Sequence, residues 1–180
     1  TSKTRQGARY RRLPRYMKAL LEESGGLVAP DANGTLRVTY GRVLGVDSDD
    51  GLFYKPQTTL AGIVAKQTGQ GDFDAPGREL DAIKALRAGK TTPYLAPFLG
   101  DVPVDFLSTV DTTGGNSGSA RRNARGELCG LFFDGTYDSV VADIVYDPVR
   151  TRSIHVDSRY LLWVLTEVDG ATRILEELGK

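Results

Sequence analysis

The chain has 180 residues, enough for one domain with a real core, and its 23 basic and 23 acidic side chains balance. That balance gives no whole-chain reason to expect a nucleic acid or an anionic membrane as partner. A single cysteine, Cys129, excludes an internal disulfide and a cysteine metal cluster, and no apolar run reaches membrane-spanning length. Residues 5–23 carry a helical pattern, interrupted by Pro14, with Tyr10, Leu13, Met17, Leu20 and Leu21 on one face. Its many arginines and lysines are read as a solvated face, and Ser24-Gly25-Gly26 ends it. Leu36 to Tyr40 alternates as a strand, Gly41 to Gly45 continues or bends it, Asp47 to Gly51 is a turn, and Leu52 to Tyr54 begins another strand. Residues 56–77 read as an irregular connection, Glu79 to Ala88 as a short helix, and 89–103 as a Pro/Gly-rich loop.

The next segment carries the chemistry. Val104 to Val110 is a strand entering the run Thr112-Thr113-Gly114-Gly115-Asn116-Ser117-Gly118-Ser119. A second strand, Gly126 to Phe133, leaves it after the reverse turn Asn123-Ala124-Arg125-Gly126. A serine hydroxyl is a weak nucleophile. It needs a general base and two N–H donors for the oxyanion that forms when it attacks a carbonyl. In the nucleophile turn of a chymotrypsin-like serine peptidase those donors are the serine and the residue two before it, here Ser117 and Gly115. The glycines at 114, 115 and 118 suit a tight turn that a substrate backbone can approach. The one histidine, His155, follows Ser117, whereas the chymotrypsin order is His, Asp, Ser. It is read as an ordinary strand histidine, so no base for Ser117 is assigned within the chain. Beyond this, Ser139 to Tyr146 and Thr151 to Val156 read as strands. Residues 158–178 read as helix divided at Asp169-Gly170. Trp163, Leu162 and Leu165 are assigned to the core, and Cys129, in an apolar strand, to a buried thiol.

Several blocks in this order resemble the bacterial dipeptidyl-peptidase 7/11-type serine exopeptidases. They are Asp31-Ala32-Asn33 with Thr35-Leu36-Arg37 and Thr39-Tyr40-Gly41; Gln57-Thr58-Thr59-Leu60; Thr112 to Ser119; Phe133-Asp134-Gly135; Asp143 to Pro148; and Val156-Asp157 with Arg159-Tyr160 and Leu162-Trp163-Val164. The resemblance runs from about residue 31 to the C-terminus. It implies a mainly β fold: the C-terminal six-stranded β-barrel of a chymotrypsin-like double barrel, with an N-terminal helix and C-terminal helices. Residues 1–30 would be the end of a helical domain, and 31–180 the C-terminal catalytic β-barrel with its closing helices.

The resemblance also implies that the catalytic histidine and aspartate lie in a first barrel outside this chain. The isolated chain is then expected to be inactive, with an apolar face exposed where that barrel docks. Residue by residue, Ser117 matches the nucleophile and Gly115 the partner oxyanion donor. Asp134 matches the acidic residue that holds a substrate's N-terminal amine, although Asp134-Gly135 is also a favoured turn pair. Gly135 matches the specificity position. Relatives with arginine there prefer acidic residues, and an uncharged pocket predicts apolar or aromatic ones. The implied partners are peptides with a free N-terminus, and the implied location is the periplasm or cell surface of a Gram-negative bacterium. Neither a cofactor nor a metal is implied, and a homodimer of the full-length enzyme is left open. Ala120 departs from the proline of many relatives, and Arg121-Arg122 makes the start of that strand unusually basic, with its effect on cleft-edge charge left open. A trypsin-like or glutamyl-type endopeptidase, and a catalytically incomplete domain, remain the alternatives.

Overall fold

The computed structural model describes residues 2–25, 38–142 and 146–180. Two compact units are distinguished, Thr1–Val38 and Thr39–Lys180. In the first, α1 runs over Ser2–Glu23 and continues through Pro14 rather than breaking there. Of its predicted apolar face, Met17 and Leu20 are half-buried, while Tyr10 and Leu13 are exposed. Ser24 N–H still donates to Leu20 O at 2.9 Å, and Gly25 then turns to φ +69°, a left-handed position that stops the helix at little cost for glycine. An exposed Lys18–Glu22 pair at 3.8 Å adds little.

The second unit is built on an antiparallel sheet in the order β3-β4-β7-β6-β5, from Gln57–Thr59, Pro103–Ser108, Ser153–Asp157, Leu128–Gly135 and Ala120–Arg122. A separate ribbon pairs β1 (Val46–Asp49) with β2 (Leu52–Tyr54). Among the described residues the sheet does not close. Its edge strands β3 and β5 are three residues each and do not pair with each other. The fold is therefore mainly β with helices, as expected, and the described residues form an open five-stranded sheet and a two-stranded ribbon rather than a closed six-stranded barrel. Val43 bridges Ser108 at the end of β4, beyond the residues that pair with β3, and Leu44 N–H donates to Leu107 O at 3.2 Å.

Further corrections follow. Part of the expected turn at 47–51 is strand β1. The connection at 56–77 contains β3, α2 (Leu60–Lys66) and a 3-10 turn at Gly71–Phe73. Val38–Tyr40 are not strand, and the start of that predicted element, residues 36–37, lies outside the described residues. Of the strand expected at 139–146, residues 139–141 belong to a 3-10 turn, Tyr137–Val141, and 143–145 lie outside the described residues.

The core lies where three helical segments cover one end of the sheet. Leu60 of α2, Ile83 of α3 (Gly77–Arg87), Val102, Val104 and Trp163 of α4 (Ser158–Trp163) form one buried cluster. Three carboxylates fix these helices. Asp101 accepts from the Arg87 guanidinium at 2.6 Å and from Ala61 N–H at 3.1 Å. Burial alone would raise its carboxyl, but Arg87 and the N–H donors of Val102 and Ala61 hold it below the usual range. The Tyr160 hydroxyl donates to the buried Glu79 carboxylate at 2.6 Å. The Asp157 carboxylate caps α4 by accepting from Arg159 N–H at 2.9 Å. One π turn (Val164–Val168) follows, then Gly170 at φ +57°, then α5 (Thr172–Glu177), which places the helix break where the glycine predicted it. On a second buried row, Phe106, His155 and Phe132 are register partners across β4, β7 and β6. Gly130 makes room for this row: a Cβ there would lie 2.6 Å from the Phe106 ring.

Candidate active site

The nucleophile run leaves β4 and crosses to β5. Its first residues are tied to β7 by hydroxyls. Ser153 Oγ donates to Val110 O at 2.7 Å, so Thr112 Oγ1 donates in turn to Ser153 Oγ at 2.6 Å. The turn itself is organised around Asn116. Its Oδ1 accepts from Thr113 N–H at 3.0 Å, its N–H donates to Thr113 O at 3.1 Å, and its carbonyl accepts from Ser119 N–H at 2.9 Å. Gly118 N–H donates to Phe132 O at 2.8 Å, which fastens the far side to β6. Gly115 at φ +98° and Gly118 at φ +80° occupy left-handed conformations, so the turn requires glycine at both places.

Ser117 sits exposed at the tip of this turn. It lines a cavity of about 220 Å³ together with Thr112, Phe132, Asp134, Gly135 and Val140. Three of the four predicted site residues, Ser117, Asp134 and Gly135, therefore meet at one cavity, whereas Gly115 does not line it. Among the described residues, the N–H groups of Gly115 and Ser117 make no hydrogen bond. Asp134 Oδ1 accepts from Gly135 N–H at 2.8 Å, which leaves Oδ2 open on an exposed side chain. A larger cavity of about 870 Å³ shares Phe133, Gly135 and Thr136 but does not reach Ser117. The smaller cavity is thus the one that bears on Ser117. None of the described residues lining it is basic.

His155 is fully buried and away from this cavity. Its ring stacks on Phe106 with centroids 4.7 Å apart. Nδ1 accepts from Arg121 Nε at 3.3 Å, which leaves the proton on Nε2 to donate to Ser108 Oγ at 2.6 Å. Both ring nitrogens are committed, in accord with a strand histidine rather than a base. Arg121 is turned inward to this ring and lies 5.3 Å from the Phe132 centroid, so it does not charge the cleft edge; Arg122 donates to Gly126 O. One nitrogen of Arg121, Nη2, is buried without a partner among the described residues. Cys129 is half-buried, and burial followed by the nearby Asp157 raises its thiol above the ordinary value.

Burial, then the Arg121 charge, pushes His155 down to about 4. Because the folded value lies below the unfolded one, the unfolded chain binds the extra proton. This contribution to stability is complete above the unfolded value near 6.5 and is lost as pH falls through 4. The loss should total about 3 kcal/mol. Denaturant unfolding at a series of pH values checks it, and a His155→Gln variant should lose that part of the slope.

Among the described residues, no group of three His, Cys, Asp or Glu side chains could hold a metal ion, and no helix is long and apolar enough to cross a membrane.

Comparison with known proteins bears on this geometry. The chain is 45% identical over 186 residues to the Asp/Glu-specific dipeptidyl-peptidase of Shewanella putrefaciens, covering 92% of the chain and 25% of that protein. It is 40% identical over 151 residues to dipeptidyl-peptidase 7 of Phocaeicola vulgatus, covering 83% of the chain and 20% of that protein. The crystal structure of Porphyromonas endodontalis DPP11 in complex with the dipeptide Arg-Glu superposes with a TM-score of 0.82 at 37% identity, over 91% of the chain and 23% of the other. The chain thus spans about a quarter of the length of these relatives. The pattern of the Peptidase S46 family matches residues 1–180, and the chain belongs to that family.

Proposed function

We propose that the protein of which this chain forms a part is a serine-type dipeptidyl aminopeptidase, with Ser117 as its nucleophile. The observation that carries this reading is the meeting of Ser117, Asp134 and Gly135 at one cavity. Ser117 Oγ attacks the carbonyl of the substrate's second residue and gives its proton to a histidine supplied from outside these residues. The open N–H groups of Gly115 and Ser117 receive the oxyanion, the peptide's remainder leaves as an amine, and water then frees the dipeptide. Asp134 Oδ2 accepts a charge-assisted hydrogen bond from the substrate's α-ammonium, which fixes the cut two residues in. Membership of the family also favours the periplasm or cell surface as the site of action.

The relatives named Asp/Glu-specific share up to 45% identity with the chain, but the preference for the second residue rests on position 135. Glycine there, with Phe132, Phe133 and Val140 beside it and no basic side chain among the described residues that line the smaller cavity, supports an apolar or aromatic choice, although Lys55 and Lys66 line the larger cavity that Gly135 also borders. A substrate carboxylate placed there would lose water without gaining a cation.

The test uses the full-length enzyme and dipeptidyl substrates with Leu, Phe or Met against Asp or Glu in the second position, each with a free and an acetylated N-terminus. Expected are a kcat/KM at least about tenfold higher for the apolar set and near loss of turnover on acetylation. Acidic preference would overturn the Gly135 reading. Undiminished cleavage of blocked peptides would make the protein an endopeptidase.

A further inference from the structure

We infer that Ser139 is a second specificity-determining residue, acting as the positioning partner of Gly135. This deepens the dipeptidyl-peptidase reading and rests on it for its substrate consequence. The φ of Gly135 is not in the left-handed region, so backbone conformation alone does not demand glycine there. Space does. A Cβ on residue 135 would lie 2.9 Å from Ser139 Cβ and 3.4 Å from Ser139 Oγ. Any side chain at 135 therefore points first into Ser139, and both residues line the cavity that Ser117 borders.

Ser139 is not free to yield. Its Oγ donates to Arg152 O at 2.8 Å and accepts from Arg152 N–H at 3.1 Å. Thr136 Oγ1 lies 2.9 Å from the same oxygen, and Ser139 N–H donates to Thr136 O at 2.8 Å. Thr136 N–H in turn donates to Arg152 O at 2.9 Å. These bonds staple the turn after β6 to the residue before β7, and they hold Ser139 against the face that a side chain at 135 would need. The substrate preference is consequently set by the pair. Glycine at 135 goes with serine at 139, and a cationic side chain at 135 needs a smaller residue opposite it to enter the cavity.

The experiment is a double-mutant cycle in the full-length enzyme. Gly135→Arg alone should lose activity on apolar substrates without gaining acidic ones. Gly135→Arg with Ser139→Gly should raise the acidic-to-apolar ratio of kcat/KM at least about tenfold above the product of the single-variant effects. Gly135→Ala with and without Ser139→Gly supplies a second readout, the thermal midpoint: the alanine should lower it by several degrees in the parent and by clearly less in a Ser139→Gly background, whose own midpoint is lowered by loss of the Arg152 bonds. Conversion to acidic preference by Gly135→Arg alone, or Gly135→Ala with unchanged midpoint and kcat/KM, overturns the inference. A parent without dipeptide release would remove the specificity role along with the functional reading, yet the coupling of midpoints would persist. Loss of that coupling in an active parent counts against Ser139 alone.

Discussion

Ser117→Ala in the full-length enzyme is expected to lower kcat for dipeptide release by about 10⁴- to 10⁶-fold, with KM changed by no more than a few-fold. The substitution removes the oxygen proposed to attack and little else. Ser117 is exposed, its side chain makes no hydrogen bond among the described residues, and its φ is not in the left-handed region. The turn is held instead by Asn116, by Gly115 and Gly118, and by the Thr112–Ser153–Val110 chain. Stability should therefore stay within about 0.5 kcal/mol of the parent. Residual turnover would reflect the oxyanion donors and substrate binding alone. Steady-state kinetics on a dipeptidyl substrate, paired with thermal unfolding of the same preparations, separates the two effects. Normal release by the variant would remove Ser117 from the chemistry.

The second large effect concerns stability. Trp163→Ala should cost about 3–5 kcal/mol. Trp163 is 1% exposed and packs with Leu60, Ile83, Val102 and Val104, so it joins α2, α3 and β4 to the C-terminal helices. Its ring also stacks on Tyr160 at 6.2 Å, and Tyr160 carries the bond to Glu79. The surrounding elements are fixed by Asp101 and Asp157 and cannot collapse fully into the space left. In a unit of this size the midpoint should fall by roughly 10 °C or more. A conservative Trp163→Phe should keep more than half of the stability, because most of the buried area remains. A Trp163→Ala midpoint equal to the parent's would show that the helices do not share one core with the sheet.

The two effects differ in how far the sequence discloses them. The strands flanking Ser117 were legible because β4 and β6 combine β-forming residues with glycine-marked turns, and Gly126 turns at φ +80° where Asn123 to Gly126 predicts it. The break at Gly170 was legible for the same reason. The segment at 57–66 was not, since β3 offers only three polar-leaning residues and α2 carries Gly62 in its middle. Ser139-Val140-Val141 misled in the opposite direction. Two valines favour a strand, but the Ser139 and Thr136 hydroxyls bond to Arg152 and close a 3-10 turn, leaving Val140 75% exposed. At the site, the motif named Ser117 and the family blocks named Asp134 and Gly135. The steric tie between Gly135 and Ser139 depends on where the turn places a Cβ, and no residue pattern records that.

The strand order has a consequence in time. β7 is the last strand of the sheet in the chain, yet it lies in the middle, between β4 and β6. The run bearing Ser117 links β4 to β5 and is anchored to β7 through Ser153. A nascent chain can form the Asn116-centred bonds of the Thr112–Ser119 segment early, but Thr112 lacks its anchor until residues 153–157 have been made and have closed a long loop to reach their place. The turn therefore gains its β7 anchor last. A ribosome stalled before β7 would carry Ser117 on a run not yet anchored at Thr112, and that anchor arrives only with the strand that completes the sheet.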